Sequence, residues 1–218
     1  MRFRDRREAG QTLAARLHYL RGHEPIVLGL PRGGVAVARE VADALHAPLD
    51  ALLVHKLIAP RRPHLVIGAA GEPGVIVSNP NTIRALKVTP AEFGRVARSA
   101  KAELARRTTR YHPDAPPLPV AGRTVVLVDD AITTGATTRA AIRVLRAREA
   151  GRIILAVPVA PLEILGALAT GVDQTLCPVP LRRKGSVGDW YTDFDQLDDT
   201  EVLELLAREP AATGTTWT

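Results

Sequence analysis

A single cysteine, Cys177, stands in 218 residues, which excludes an intrachain disulfide. A lone thiol fits a reducing compartment, and a cytoplasmic location is expected. No apolar run approaches the roughly 20 residues that cross a bilayer. The first ten residues, MRFRDRREAG, are charged where a secretory leader would have an apolar core and a cleavage site. There is no GxxxxGK[ST] string and no GxGxxG after the first apolar run. Those absences remove the P-loop and dinucleotide-binding classes. Paired zinc ligands and an aromatic–basic RNA-binding stretch are also missing. The formal net charge is +6, but the basic residues are dispersed. Such charge suits a soluble surface or a small polyanionic ligand as well as it suits nucleic acid.

What is present is alternation. Apolar strand candidates at residues 26–30, 49–57, 123–128, 153–159 and 172–176 are separated by helical patterns. That order predicts an α/β fold, a mainly parallel sheet flanked by helices. Ala38, Val41, Ala42 and Leu45 recur at helical spacing. Residues 66–70 and 75–78 flank Gly-Glu-Pro-Gly and predict a peripheral hairpin. Residues 58–63 read as a loop. Thr89-Pro90-Ala91-Glu92 is a capping box that opens a helix reaching about residue 110. Four prolines in 112–119 predict a stiff surface connection. Further helices are expected at 137–149, from about Pro161, and at 200–209. One domain spans 1–218, with its core at about 24–178.

The chemistry concentrates in VVLVDDAITTGATT, residues 125–138. A buried strand ends in two acids and then a turn of hydroxyls and small residues. In a parallel sheet, ligands bind beyond the carboxyl ends of strands. A helix start there offers free N–H groups and the positive end of the helix dipole to an anion. Asp129 and Asp130 would repel a bare phosphate. They suit a ligand that also carries vicinal hydroxyls, with a divalent cation to offset the charge. A phosphorylated sugar meets these conditions.

This string resembles the signature of type I phosphoribosyltransferases, which bind 5-phosphoribosyl 1-pyrophosphate (PRPP). The resemblance implies a Rossmann-like sheet with a small hood. It implies that Asp129 and Asp130 hold the ribose hydroxyls, and that Thr133, Thr134, Gly135, Ala136 and Thr137 wrap the 5-phosphate. Leu30-Pro31-Arg32-Gly33-Gly34 resembles the family's pyrophosphate loop, where glycines would allow positive φ and close approach of the ligand. Arg32, Gly33 and Gly34 would then bind pyrophosphate, with Lys56 reaching it from the adjoining strand. Alternation along that strand turns His55 away from the site. Arg32, Lys56, Asp129 and Asp130 are the expected catalytic residues, and Mg²⁺ the expected cofactor. MRFRDRREAG, GLPRGGV, VHKL, VLVDDAITTGAT and VGDWYTDF together are similar to a subgroup of uncharacterised bacterial phosphoribosyltransferases.

The expected partners are PRPP and a small nitrogenous acceptor, with no membrane and a homo-oligomer left open. The hood is expected at about 179–199 with part of the N-terminal helix. There Trp190 and Tyr191 are candidates to stack on an acceptor. Residues 187–188 and 192–194 loosely resemble a pattern of hypoxanthine–guanine enzymes, which implies a metal role for Asp193. The spacing has one extra residue, and the upstream aromatic is replaced by Leu181-Arg182-Arg183-Lys184. Thr133 also stands where the 6-oxopurine enzymes place an aspartate, and threonine is no general base at neutral pH. Segments 58–64 and 181–188 are candidate closing loops. The alternative on the same fold is a non-catalytic PRPP-binding regulator, for which nucleic acid stays open as a partner.

Overall fold

The computed structural model describes residues 2–113, 115–182 and 187–207. In chain order the elements are α1 (Arg6–Leu17), β1 (Ile26–Gly29), α2 (Gly33–Leu45), β2 (Leu49–Ala51), β3 (Val54–Ala59), β4 (Arg62–Gly71), β5 (Val75–Ser78), α3 (Pro80–Ala85), α4 (Pro90–Tyr111), β6 (Thr124–Val128), α5 (Ala136–Ala147), β7 (Arg152–Ala156), β8 (Val159–Pro161), α6 (Leu162–Ala169), β9 (Gln174–Leu176), β10 (Val179–Leu181) and α7 (Asp199–Ala207).

The central sheet has the order β2-β1-β6-β7-β9, and every pair in it is parallel. Its strands read as continuous apolar runs because helices cover both faces. Val27, Val126, Val128 and Ile154 face α1 and α2. Their neighbours Ile26, Leu28, Val125, Leu127 and Ile153 pack with Ile142 and Leu145 of α5. This is the period-2 alternation of a strand with both faces buried.

The second sheet, β3-β4-β5, is antiparallel and sits between α4 and α5. The expected hairpin is its β4–β5 half. The expected capping box is present on α4. The Thr89 hydroxyl accepts from the Glu92 N–H at 3.2 Å, and the Glu92 carboxylate accepts from the Thr89 N–H at 2.9 Å. A third, two-stranded parallel sheet pairs β10 with β8.

Three expectations are corrected. The apolar run 49–57 is two strands in different sheets. Leu52 packs on the α5 side and Leu53 into the cluster of α4 and α7. Both sides of the break are buried, so apolarity cannot mark it. The run 153–159 also splits. Pro158 has no N–H to give, and Val159 pairs with β10 instead of extending β7. Residues 58–63 close the β3–β4 hairpin, through Pro60 and an Arg61 at φ +64°, and are not an open loop. The helix α3, capped by Asn79 with Pro80 in its first turn, was not anticipated.

Candidate active site

β1 and β6 are adjacent at the middle of the sheet, so the loops that follow them lie side by side. The Leu30 N–H donates to the Val128 carbonyl at 2.9 Å and joins them. The Pro31–Arg32 peptide bond is cis. Gly33 and Gly34 lack the positive φ expected of them. Their glycine requirement comes from packing. A Cβ on Gly33 would lie 1.8 Å from Asp130 Oδ2, and one on Gly34 would lie 2.8 Å from the Val128 carbonyl oxygen. No side chain fits between this loop and the two acids. Arg32 is exposed, and its charge reaches Tyr111 and Asp199.

Asp129 and Asp130 are half-buried. Burial, and then the charge of Asp130, push the Asp129 carboxyl well above the usual carboxylate range. Its oxygens meet the Asp130 N–H at 3.1 Å and the Thr138 hydroxyl at 3.4 Å. Asp130 Oδ2 accepts from Arg6 Nε at 2.9 Å. Sequence reading singled out the N-terminal stretch but not Arg6. The two partners are 124 positions apart, and no local pattern announces the contact.

The turn after β6 is open. Thr133, Thr134 and Thr137 are exposed. Gly135 is the N-cap of α5 at φ +69°, and a Cβ there would lie 2.7 Å from Ile164 Cγ2. The left-handed backbone and the contact both demand glycine. Gly135 offers no capping side chain to the N–H groups of the first turn. The Ala136 N–H meets the Thr134 hydroxyl at 3.4 Å. A cavity of about 230 Å³ adjoins the turn, lined among others by Asn79, Thr134, Arg139 and Arg143.

Lys56 sits on β3 opposite Ala69 and, beyond it, Val77. Ala69 and Val77 belong to the face packed on α5. His55 shares its face with Ala70 and Ile76, which pack toward α4. It senses the charges of Glu103 and Arg107 on that helix, and burial lowers its pKa. The expected orientation of His55 away from the site thus agrees with the register.

The C-terminal segment is stitched to the N-terminus. The Phe3 N–H donates to the Trp190 carbonyl at 2.9 Å, Thr192 N–H to Phe3 at 2.8 Å, and Asp193 N–H to Arg4 at 2.7 Å. Tyr191 is 1% exposed, with ring centroids at 5.7 Å from Phe3 and 4.9 Å from Phe194. It therefore has no free face for an acceptor, and that expectation is corrected. Its ring packs the tail, and its hydroxyl donates to the Asp130 carbonyl at 2.7 Å. Trp190 is half-buried, and its Nε1 has no hydrogen-bond partner among the described residues. Asp193 is exposed, and its Oδ1 meets the Asp195 N–H at 3.4 Å. Of the candidate closing segment 181–188, residues 183–186 lie outside the described residues, including Arg183 and Lys184.

Mg²⁺ binds through one or two carboxylates together with substrate phosphates. The Asp129–Asp130 pair fits that mode, because two adjacent acids with a raised carboxyl favour an added cation. Among the described residues no three His, Cys, Asp or Glu side chains converge on a metal position. The acids therefore offer part of a coordination shell, and Asp193 does not join them in one.

A model of the phosphoribosyl transferase domain matches residues 6–177. The chain is 44% identical over 206 residues to a protein of Mycobacterium tuberculosis, in strains CDC 1551 and H37Rv, named "Putative phosphoribosyl transferase". The match covers 94% of this chain and 46% of that protein, so the chain spans about half the length of the curated relatives it matches. The crystal structure of TT1426 from Thermus thermophilus is similar at a TM-score of 0.88 and 40% identity. The likeness covers 94% of this chain and 98% of that one. No helix among the described residues is long and apolar enough to cross a membrane. With the family model spanning the sheet and the loops after β1 and β6, the chain belongs to the phosphoribosyl transferase domain family.

Proposed function

We propose that the chain transfers the 5-phosphoribosyl group of PRPP to a nitrogenous acceptor, a nucleobase or a related amine, and releases pyrophosphate. The observation that carries this reading is the seam between Gly33 and Asp130. It leaves a glycine loop, two acids and an open helix start on one edge of the sheet.

In this reading the 5-phosphate lies on the N–H groups of 133–137, where the α5 dipole favours an anion. Asp129 and Asp130 accept the ribose hydroxyls. The acceptor nitrogen attacks C1 as the C1–oxygen bond to pyrophosphate breaks. Positive charge grows on the ribose ring, and the neighbouring acids stabilise it. Negative charge grows on the departing oxygen, where Arg32 and Lys56 stabilise it. Asp129 and Asp130, together with the substrate, would hold Mg²⁺, which would supply further positive charge to the leaving group. Trp190 is the remaining hood aromatic for the acceptor.

The test is calorimetry with PRPP and Mg²⁺, followed by pyrophosphate release against a panel of bases and amines. Micromolar PRPP binding with release for at least one acceptor is expected. Absence of PRPP binding overturns the reading. Binding without release for any acceptor favours the regulatory alternative.

A further inference from the structure

We propose that Arg6 is a positioning residue for the diol carboxylate, and that it couples the hood to the sugar site. This rests on the assignment of Asp130 to the ribose hydroxyls. Arg6 opens α1, where Asp5 caps the helix. Its Nε donates to Asp130 Oδ2 at 2.9 Å, and its side chain is 13% exposed against 18% for Asp130. Its Nη1 donates to the Asp195 carbonyl at 2.7 Å. Its guanidinium carbon lies 4.0 Å from the centre of the Phe194 ring. A Cβ on Gly33 would come within 2.8 Å of its Nε. One planar cation thus touches the pyrophosphate loop, the second acid of the strand end, and the hood.

The division of oxygens gives the pair its meaning. Arg6 occupies Oδ2 of Asp130. The Asp130 main-chain carbonyl is taken by Tyr191. No donor among the described residues meets Oδ1, which leaves that oxygen to accept a hydroxyl. Arg6 fixes the carboxylate in one rotation and offsets its charge, so Oδ1 is aimed before the sugar arrives. The fork geometry matters. An ammonium could meet Asp130 or Asp195, but it could not lie flat on Phe194 while bonding both.

The experiment is calorimetry of Arg6→Met, Arg6→Lys and Phe194→Leu with three probes in Mg²⁺: PRPP, ribose 5-phosphate and inorganic pyrophosphate. The probes separate diol from leaving group. Arg6→Met is expected to weaken PRPP and ribose 5-phosphate alike, about tenfold, with pyrophosphate unchanged. Arg6→Lys is expected to recover thermal stability but less than half of the lost affinity on a logarithmic scale. Phe194→Leu is expected to weaken both sugars two- to threefold. Loss of pyrophosphate and PRPP affinity with ribose 5-phosphate unchanged would overturn the proposal and make Arg6 a leaving-group ligand. Full rescue by lysine, or unchanged affinities beside a lower melting temperature, would reduce Arg6 to a structural ion pair. A wild-type protein that binds none of the three sinks the PRPP reading itself, a result separable from all of these.

Discussion

Two places among the described residues bring a pair of acids together with a cation, and they are finished differently. In the first, Asp50 and Glu72 are 7% and 3% exposed. His112 Nε2 lies 2.6 Å from Asp50 Oδ1, and its Nδ1 lies 3.3 Å from Glu72 Oε2. The Ala51 and Leu118 N–H groups donate to Asp50, at 2.7 and 2.8 Å, and the Thr108 hydroxyl donates to Glu72. In the second, Arg6 bonds Asp130 beside Asp129, and Asp130 keeps an oxygen without a donor among the described residues. Buried charge survives when it is paired and hydrogen-bonded. The first cluster joins the β2, β4 and α4 region and lies inside the protein, where Asp50 is fully bonded while Glu72 Oε2 and His112 Nδ1 meet only as an ion pair, with no hydrogen bond among the described residues. The second stands at the sheet edge and is left for something to complete.

Breaking the open pair should have the largest effect. Asp129→Asn with Asp130→Asn is expected to abolish PRPP binding, a loss of at least about 4 kcal/mol, or a thousandfold. The melting temperature should change little, because relief of two crowded acids is offset by loss of the Arg6–Asp130 ion pair. Calorimetry beside thermal melts checks both. Retained affinity would remove the acids from the site.

Breaking the buried cluster should do the reverse. Burial pushes His112 down, but its contacts with Asp50 and Glu72 and their charges outweigh that and push it up to about 9. A folded value above the unfolded one means stabilisation that is full below about pH 6.5. It declines from there and is lost above pH 9. Denaturant melts should lose about 3 kcal/mol between pH 6 and pH 10. His112→Ala should lose a similar amount at pH 7 and abolish that pH dependence, with PRPP affinity unchanged.

The seam between the loops sharpens the contrast. Gly33→Ala forces a Cβ onto Asp130 Oδ2. It should cost about 1–3 kcal/mol of stability by overpacking and weaken PRPP severalfold. A more selective effect is expected at Lys56, where Met should weaken pyrophosphate about three- to tenfold and leave ribose 5-phosphate unchanged. Competition binding distinguishes the two.

The parts legible in the sequence were those set by local rules. The α/β alternation, the capping box at Thr89 and Glu92, and the acids at the end of β6 all announce themselves within a few residues. The two acids could be read because adjacent carboxylates beside hydroxyls are unusual after an apolar strand. The sheet change between Ala51 and Val54 could not, because both sheets bury the run. The packing reason for Gly33 could not be read, since the neighbour that excludes a side chain there is Asp130, 97 positions away. His112 was placed in a surface connection by its prolines, yet its partners Asp50 and Glu72 hold it inside. Arg6 and Tyr191 converge on Asp130 from opposite termini, and single-sequence pattern carries no trace of that.

The ladder between residues 2–4 and 190–193 has a consequence for how such a protein can diversify. On the proposed reading of the C-terminal segment as the hood, a descendant that re-tools it for a different acceptor must also keep Phe3, Arg4 and Arg6 compatible with the new shape. Innovation at one terminus is thereby tethered to the other. Swapping the tail alone between relatives should yield poorly behaved chimeras, whereas exchanging both ends together should transplant the trait.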